Sequence, residues 1–174
     1  DTVIAHITPY FAAARNNINI VSPYFVPTHK GSDALIEAAG QGRKIRILTN
    51  SLAATDVAPV HAGYAKYRKA LLAGGVALYE LKPDAEANYR PHGKAGIGGS
   101  IAGSSGASLH AKTFSIDGTQ IFVGSFNMDP RSATLNTEMG ILFDQPQLAA
   151  LFDNTLGVPL PQESWQVSLD DDGK

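Results

Sequence analysis

Apolar and polar positions along this chain follow two periods that alternate with each other. From Val3 to Arg15 the apolar residues recur at helical spacing, with Pro9 as the break in the pattern. Ile18 to Phe25 is rich in β-branched and aromatic residues and predicts a strand, stopped by Pro27. Ser32 is placed to cap a short helix running to about Ala39. Lys44 to Thr49 alternates and predicts a second strand. Ala58 to Ala73 carries Tyr64, Tyr67, Leu71 and Leu72 on one apolar stripe, and Gly74-Gly75 closes that helix. Val76 to Leu81 is the next strand. Leu109 to Ile116 and Gln120 to Phe126 are two strands around Asp117-Gly118, a hairpin signal. Thr137 to Phe143 predicts another strand and Gln147 to Leu156 another helix.

Strands separated by helices define a single α/β domain, a mixed and mostly parallel sheet flanked by helices on both faces. The domain is expected to span residues 1–158, with 159–174 as an extended tail, polar apart from Trp165. One stretch fits neither period. Between Arg90 and Ser108 glycine and serine dominate, which excludes it from the core. It reads either as a lid or lipid-facing loop over a site, or as a plain surface loop.

Composition narrows the classes. The 174 residues suffice for one domain with a real core, and 44% hydrophobic against 17% charged residues reads as soluble and globular. A net charge of -2 argues against a strongly basic nucleic-acid surface. The chain has no cysteine, so it has neither a disulfide framework nor a thiolate metal site. No apolar run approaches the roughly 18 residues of a membrane span, and no signal peptide is evident. The sequence opens at Asp1 rather than Met, and it is expected to be a piece of a longer protein.

The chemistry concentrates on the hairpin: His110, Lys112, Asp117, Gly124, Ser125 and Asn127, an H-x-K-x4-D-x6-G-S-x-N run. Residues two apart on a strand face the same side, so His110 and Lys112 project together. A neutral imidazole can attack phosphorus, and a protonated one can donate to a leaving oxygen. Lys112 supplies positive charge for non-bridging oxygens. Ser125 and Asn127, again two apart, can donate to the same phosphate. Gly124 would let backbone and phosphate approach closely, and Asp117 is expected to fix the turn rather than take part in the chemistry. An isolated His-x-Lys is ordinarily a solvated pair; the six positions together, in strand–turn–strand context, are far more specific.

The segment Leu109 to Ser132 resembles the phospholipase D superfamily signature at all six positions. Flanking segments Ser22–Pro27, Thr49–Leu52 with Thr55-Asp56, Val60–Tyr64 and Asn136–Ile141 resemble the carboxy-terminal half of bacterial cardiolipin synthase-type enzymes, and the likeness covers roughly residues 2–157. It implies metal-free, cofactor-free phosphatidyl transfer through a covalent phosphohistidine, with two catalytic histidines. This chain has one motif. His110 would then be the general acid/base, with the nucleophile in a missing amino-terminal half, or two copies of the chain would face each other as a homodimer. The resemblance also places Glu138 as the carboxylate that hydrogen-bonds the catalytic imidazole. The implied partners are an anionic or zwitterionic phospholipid and an alcohol acceptor, and the implied location is the bacterial cytoplasm or, peripherally, the cytoplasmic membrane surface. Nucleic acid is disfavoured.

Other residues carry weaker signals. Ligands gather at strand carboxyl ends in α/β sheets, so Asn50, Ser51 and His61 are candidates for a headgroup pocket, with local capping and packing as the alternative. His92 and Lys94 imitate the motif without its remaining positions. His6 and His29 read as fillers, although His29 could approach the site, and Arg131 binds either phosphate or Asp129. No group of residues has metal-ligand spacing. Phospholipid hydrolysis, a metal-independent nuclease and a catalytically silent half-domain remain alternatives to phosphatidyl transfer.

Overall fold

In the computed structural model, which describes residues 2–85, 108–157 and 160–170, the first half of the chain is a run of strand–helix–strand units. Helix α1 (Val3–Ala13) leads into strand β1 (Asn17–Val21), then α2 (Thr28–Gly40), β2 (Lys44–Asn50), α3 (Ala58–Ala73) and β3 (Ala77–Leu81). The second half is the hairpin β4 (Thr113–Ile116) and β5 (Gln120–Gly124), the single turn α4 (Pro130–Thr134), β6 (Gly140–Asp144), α5 (Pro146–Gly157), α6 (Leu160–Glu163) and β7 (Ser164–Val167). The seven strands form one sheet in the order β6-β5-β4-β1-β2-β3-β7.

The sheet is mixed, as expected, but its parallel share is narrower than expected. Of six pairings only β1 with β2 and β2 with β3 are parallel. Parallel neighbours need a long crossover, which α2 and α3 provide, whereas tight connections such as the hairpin give antiparallel pairs. Residues after 159 were expected to trail away. Instead β7 pairs antiparallel with β3, Trp165 opposite Glu80, and closes that edge of the sheet.

Side-chain alternation sorts the strands' residues onto two faces. Ile18, Ile20, Ile45, Ile47, Leu78, Phe114, Ile116 and Phe122 pack in one cluster with α1, α2 and α3. Val21, Leu48 and Leu81 form a second cluster with Leu156 and Phe152 of α5. Each fully buried aliphatic side chain contributes about 1.5–3 kcal/mol of transfer free energy, so these faces hold the layers together. A buried polar bolt fixes α5: Asp153 accepts from Asn19 Nδ2 (2.7 Å) and from the Ser115 hydroxyl. Asn19 Oδ1 in turn accepts from Arg46 Nε at 2.7 Å.

Several boundaries shift for local reasons. Helix α2 starts at Thr28, whose hydroxyl accepts the Gly31 N–H (3.4 Å), while Ser32 is buried inside the helix. The strand at Ile18 ends at Val21; residues 22–27 leave the sheet, and Val26 donates to the Met128 carbonyl at 2.7 Å. Residues 109–112 precede β4 rather than belong to it, and 137–139 precede β6. The glycine- and serine-rich stretch as far as residue 107, with His92 and Lys94, lies outside the described residues.

Candidate active site

The hairpin loop is three residues, Asp117 to Thr119, between the paired Ile116 and Gln120; Asp117 and Gly118 both have positive φ (54° and 63°), and the Thr119 N–H donates to the Ile116 carbonyl at 3.1 Å. The Asp117 carboxylate reaches across to the start of β1 and accepts the backbone N–H groups of Arg15 (2.8 Å), Asn16 (2.7 Å) and Asn17 (3.0 Å). Burial works against its charge, but these hydrogen bonds outweigh it and hold its pKa below the ordinary carboxylate value. Asp117 thus staples the hairpin to the central strand.

His110 and Lys112 lie on the segment that feeds β4. No ladder holds Leu109; a side chain does. Buried Asn50, at the carboxyl end of β2, accepts the Leu109 N–H at 2.8 Å and offers Nδ2 to the Leu109 carbonyl at 3.5 Å. The next residue, His110, is exposed, and its imidazole makes no hydrogen bond among the described residues. Lys112 is half-buried and donates to the His110 carbonyl at 3.1 Å. Burial lowers its pKa, and the carboxylates of Glu138 and Asp56 oppose that shift.

Ser125 follows β5 directly. Its hydroxyl donates to Glu138 Oε2 at 2.5 Å and accepts the Met139 N–H at 3.0 Å. Asn136 Nδ2 also donates to Glu138, at 3.2 Å. Burial disfavours the Glu138 charge. The Ser125 and Asn136 bonds, the nearby Ser132 hydroxyl and the Lys112 ammonium more than compensate, so its pKa lies below the usual range. Glu138 was expected on the His110 imidazole; here it is engaged by Ser125, just after β5, and by Asn136 of its own loop. Asn127 is buried, and its Oδ1 has no hydrogen-bond partner among the described residues. An orphaned buried acceptor costs about 1–3 kcal/mol. A donor from a ligand relieves that cost, and a half-turn of the amide presents a donor to phosphate oxygens instead.

Gly124 has a structural reason different from the expected approach of phosphate. It pairs with Gly140, and an added Cβ at 124 would lie 2.5 Å from the Met139 carbonyl oxygen and 2.8 Å from Phe122 Cζ. At Gly140 the same atom would lie 2.1 Å from Phe122 Cζ. The Phe122 ring, stacked on Phe114 with centroids 4.7 Å apart, occupies the space that two side chains would need.

The three headgroup-pocket candidates are all buried. Asn50 is committed to Leu109. The Ser51 hydroxyl accepts the Ala54 N–H at 3.1 Å within the turn after β2. His61 is on the buried face of α3, edge-on to Tyr64, with Nε2 at 3.8 Å from Glu80 Oε2, a carboxylate also held by Arg68 at 2.9 Å. Burial, and then the Glu80 charge, raise the Tyr64 phenol above its ordinary pKa. His29 packs edge-on to Tyr67, and His6 is exposed on α1. The Arg131 N–H caps onto Asp129 at 2.8 Å, and its guanidinium forms no ion pair among the described residues. Asp56, whose charge acts on Lys112, and Tyr24, which bonds it, escaped the sequence reading as site residues. The Tyr24 hydroxyl donates to both Asp56 oxygens, at 2.8 and 3.0 Å. Both residues lie in flanking segments that carry the resemblance, Ser22–Pro27 and Thr55-Asp56, with no role attached to either.

A mixed sheet with a histidine–lysine pair leading into a hairpin, beside a serine, an asparagine and a glutamate, defines a phospholipase D-like domain. The chain belongs to the family described as "Cardiolipin synthase, PLD-like domain", whose model matches residues 7–157. It is 54% identical over 153 residues to cardiolipin synthase C of Escherichia coli (strain K12), covering 88% of this chain and 31% of that protein. The chain therefore spans about a third of the length of that relative. In fold it is similar to Nuc from Salmonella typhimurium, a phospholipase D family member (TM-score 0.68, 16% identity, 94% of this chain and 90% of that one). It is also similar to NucT from Helicobacter pylori (TM-score 0.65, 17% identity, 94% and 90%).

Proposed function

We propose that this domain supplies one of the two histidines of a cardiolipin synthase-like phosphatidyltransferase, acting on phospholipid through a covalent phosphohistidine. The observation that carries the reading is the exposed His110 imidazole, without a hydrogen bond among the described residues, two positions from a Lys112 that bonds the His110 carbonyl, together with a buried Asn127 whose Oδ1 has no partner among them. In the first step an imidazole nitrogen bonds to phosphorus and the bond from phosphorus to the headgroup oxygen breaks. The second histidine gives its proton to that oxygen, and the headgroup alcohol leaves. In the second step the same histidine takes the proton of an incoming alcohol, whose oxygen displaces the nucleophilic imidazole from phosphorus. By resemblance His110 is the acid/base partner, and the nucleophile comes from another part of the full-length protein or from a second copy. Lys112 neutralises the non-bridging oxygens as charge develops; burial lowers its pKa, and the charges of Glu138 and Asp56 oppose that shift.

Exposed apolar side chains beside the site suit the arrival of that second half. Val123 and Ile141 are paired across β5 and β6 and both exposed, and Leu135 and Met139, on either side of Glu138, are more than three-quarters exposed. No helix among the described residues is long and apolar enough to cross a membrane; on the likeness to cardiolipin synthase, a peripheral membrane surface is the proposed workplace of the domain.

The test uses vesicles containing phosphatidylglycerol and compares the 174-residue chain with the full-length protein carrying it. Cardiolipin from the longer protein alone supports a two-motif site in one chain; cardiolipin from the domain alone supports a site shared by two copies. His110→Ala in the full-length protein should abolish turnover with an unchanged circular-dichroism spectrum, and retention of most activity sinks the assignment. Phosphatidic acid without cardiolipin would identify water as the acceptor and replace the transferase reading with hydrolysis.

A further inference from the structure

The turn between β2 and α3 brings a second carboxylate to the site, and the mechanism above gives it no task. Asp56 is exposed on that turn. Tyr24, which holds it, sits between two residues fastened to the loop just after Asn127. The Met128 N–H donates to the Ser22 hydroxyl at 3.3 Å, and the Val26 N–H donates to the Met128 carbonyl at 2.7 Å. Tyr24 is therefore positioned by the same segment that positions Asn127. Its phenol is pushed up to about 12, by burial first and then by the hydrogen bond and charge of Asp56, so it remains an O–H donor at any physiological pH. The Asp56 charge, like that of Glu138, acts on the Lys112 ammonium.

The two carboxylates differ in what remains free on them. Glu138 already accepts from Ser125 and Asn136. Asp56 accepts from one side chain, Tyr24, although an ionised carboxylate offers roughly four lone-pair positions. A fixed negative charge beside a phosphodiester opposes binding of the phosphate. It becomes favourable where the ligand brings hydrogen-bond donors to it. An alcohol with vicinal hydroxyls does so, since one hydroxyl can bond to Asp56 while its neighbour faces phosphorus.

We propose that Asp56, oriented by Tyr24, is the specificity-determining residue that selects a polyhydroxylated alcohol, the glycerol headgroup class, over a monohydric one. The proposal rests on the phosphatidyl-transfer reading. A charge-assisted hydrogen bond of this kind changes discrimination about tenfold.

The experiment follows the full-length protein on phosphatidylglycerol vesicles with three competing soluble acceptors: labelled glycerol, 1-propanol and labelled ethanolamine. For Asp56→Asn the preference for glycerol over propanol should fall about tenfold, expressed mainly as a raised KM for glycerol. Tyr24→Phe should move the same ratio in the same direction by less, and thermal unfolding checks that both variants are folded. A glycerol-to-propanol ratio equal to wild type in Asp56→Asn overturns the proposal. So does a selective loss of ethanolamine transfer with that ratio intact, which would assign the carboxylate to a cation. If the wild-type protein forms none of the three products, the transfer reading itself fails and the proposal falls with it.

Discussion

Replacing Asn50 with alanine tests whether a buried amide positions the histidine of this site. The substitution removes a well-formed acceptor for the Leu109 N–H (2.8 Å) and a weaker donor to the Leu109 carbonyl (3.5 Å). The amide it orphans is only partly exposed to water. One lost hydrogen bond contributes about 1 kcal/mol, and a stranded buried donor costs about 1–3 kcal/mol, so a loss near 2 kcal/mol is expected. With a urea m-value of about 2 kcal/mol/M, the unfolding midpoint should drop by about 1 M. The effect on turnover should be larger than the effect on stability. Residues 109–111 stand outside the sheet ladder, whose last bond on this side runs from the Gly124 N–H to the Lys112 carbonyl (3.2 Å), so freeing Leu109 lets His110 drift, and a displacement of about 1 Å costs on the order of 100-fold in rate. Ser51→Ala is the control. It removes a turn bond of similar worth to Ala54 without touching Leu109, and should shift the urea midpoint while leaving transfer on phosphatidylglycerol vesicles close to wild type. If Asn50→Ala and Ser51→Ala lose stability alike and both keep full turnover, Asn50 does not position His110.

Two further outcomes follow from side chains of the hairpin. Asp117→Asn keeps at most one acceptor oxygen for three backbone amides and should lower the unfolding free energy at pH 7 by about 1–3 kcal/mol. Because the folded pKa of Asp117 is depressed, its contribution is complete above the unfolded value of about 4 and disappears as pH falls through the lower folded value. Urea titrations of both proteins should converge toward pH 2, and a gap that persists there contradicts the staple. Gly140→Ala drives a methyl into the Phe122 ring and should cost about 1–3 kcal/mol by overpacking, with Phe122→Leu in the same chain recovering part of the loss. An additive double variant, measured by thermal unfolding, would rule out that contact as the cause.

The features legible in the sequence are those written in neighbouring residues. Asp117-Gly118 announces its turn, and the alternation on either side fixes the pairing of Phe114 with Phe122. The stripe of Tyr64 and Leu71 faces the core as the period requires. What escaped is carried by contacts remote in sequence. Asn50 and Leu109 are 59 residues apart, and nothing near Asn50 shows that its amide is committed. The aromatic run at 22–27 has strand composition but answers to Met128, so it leaves the sheet early. His61 at a strand-to-helix junction looks like a ligand-facing residue until the helix folds over Glu80. Glu138 was placed by resemblance alone, and its observed partners belong to its own loop and to the end of β5.

The strand order has a consequence in time as well as in space. The unit from β1 to β3 can assemble once residue 81 has left the ribosome, because its pairings are internal to it. One edge of β1 must then wait for β4, whose last paired residue is Ile116. At about 5–20 residues per second the intervening 35 residues (116 minus 81) take about 2–7 s to synthesise. Throughout that interval the central strand of the finished protein is an open edge, able to pair with the wrong chain. Folding yield in the cell should therefore fall when translation is slowed between codons 82 and 116.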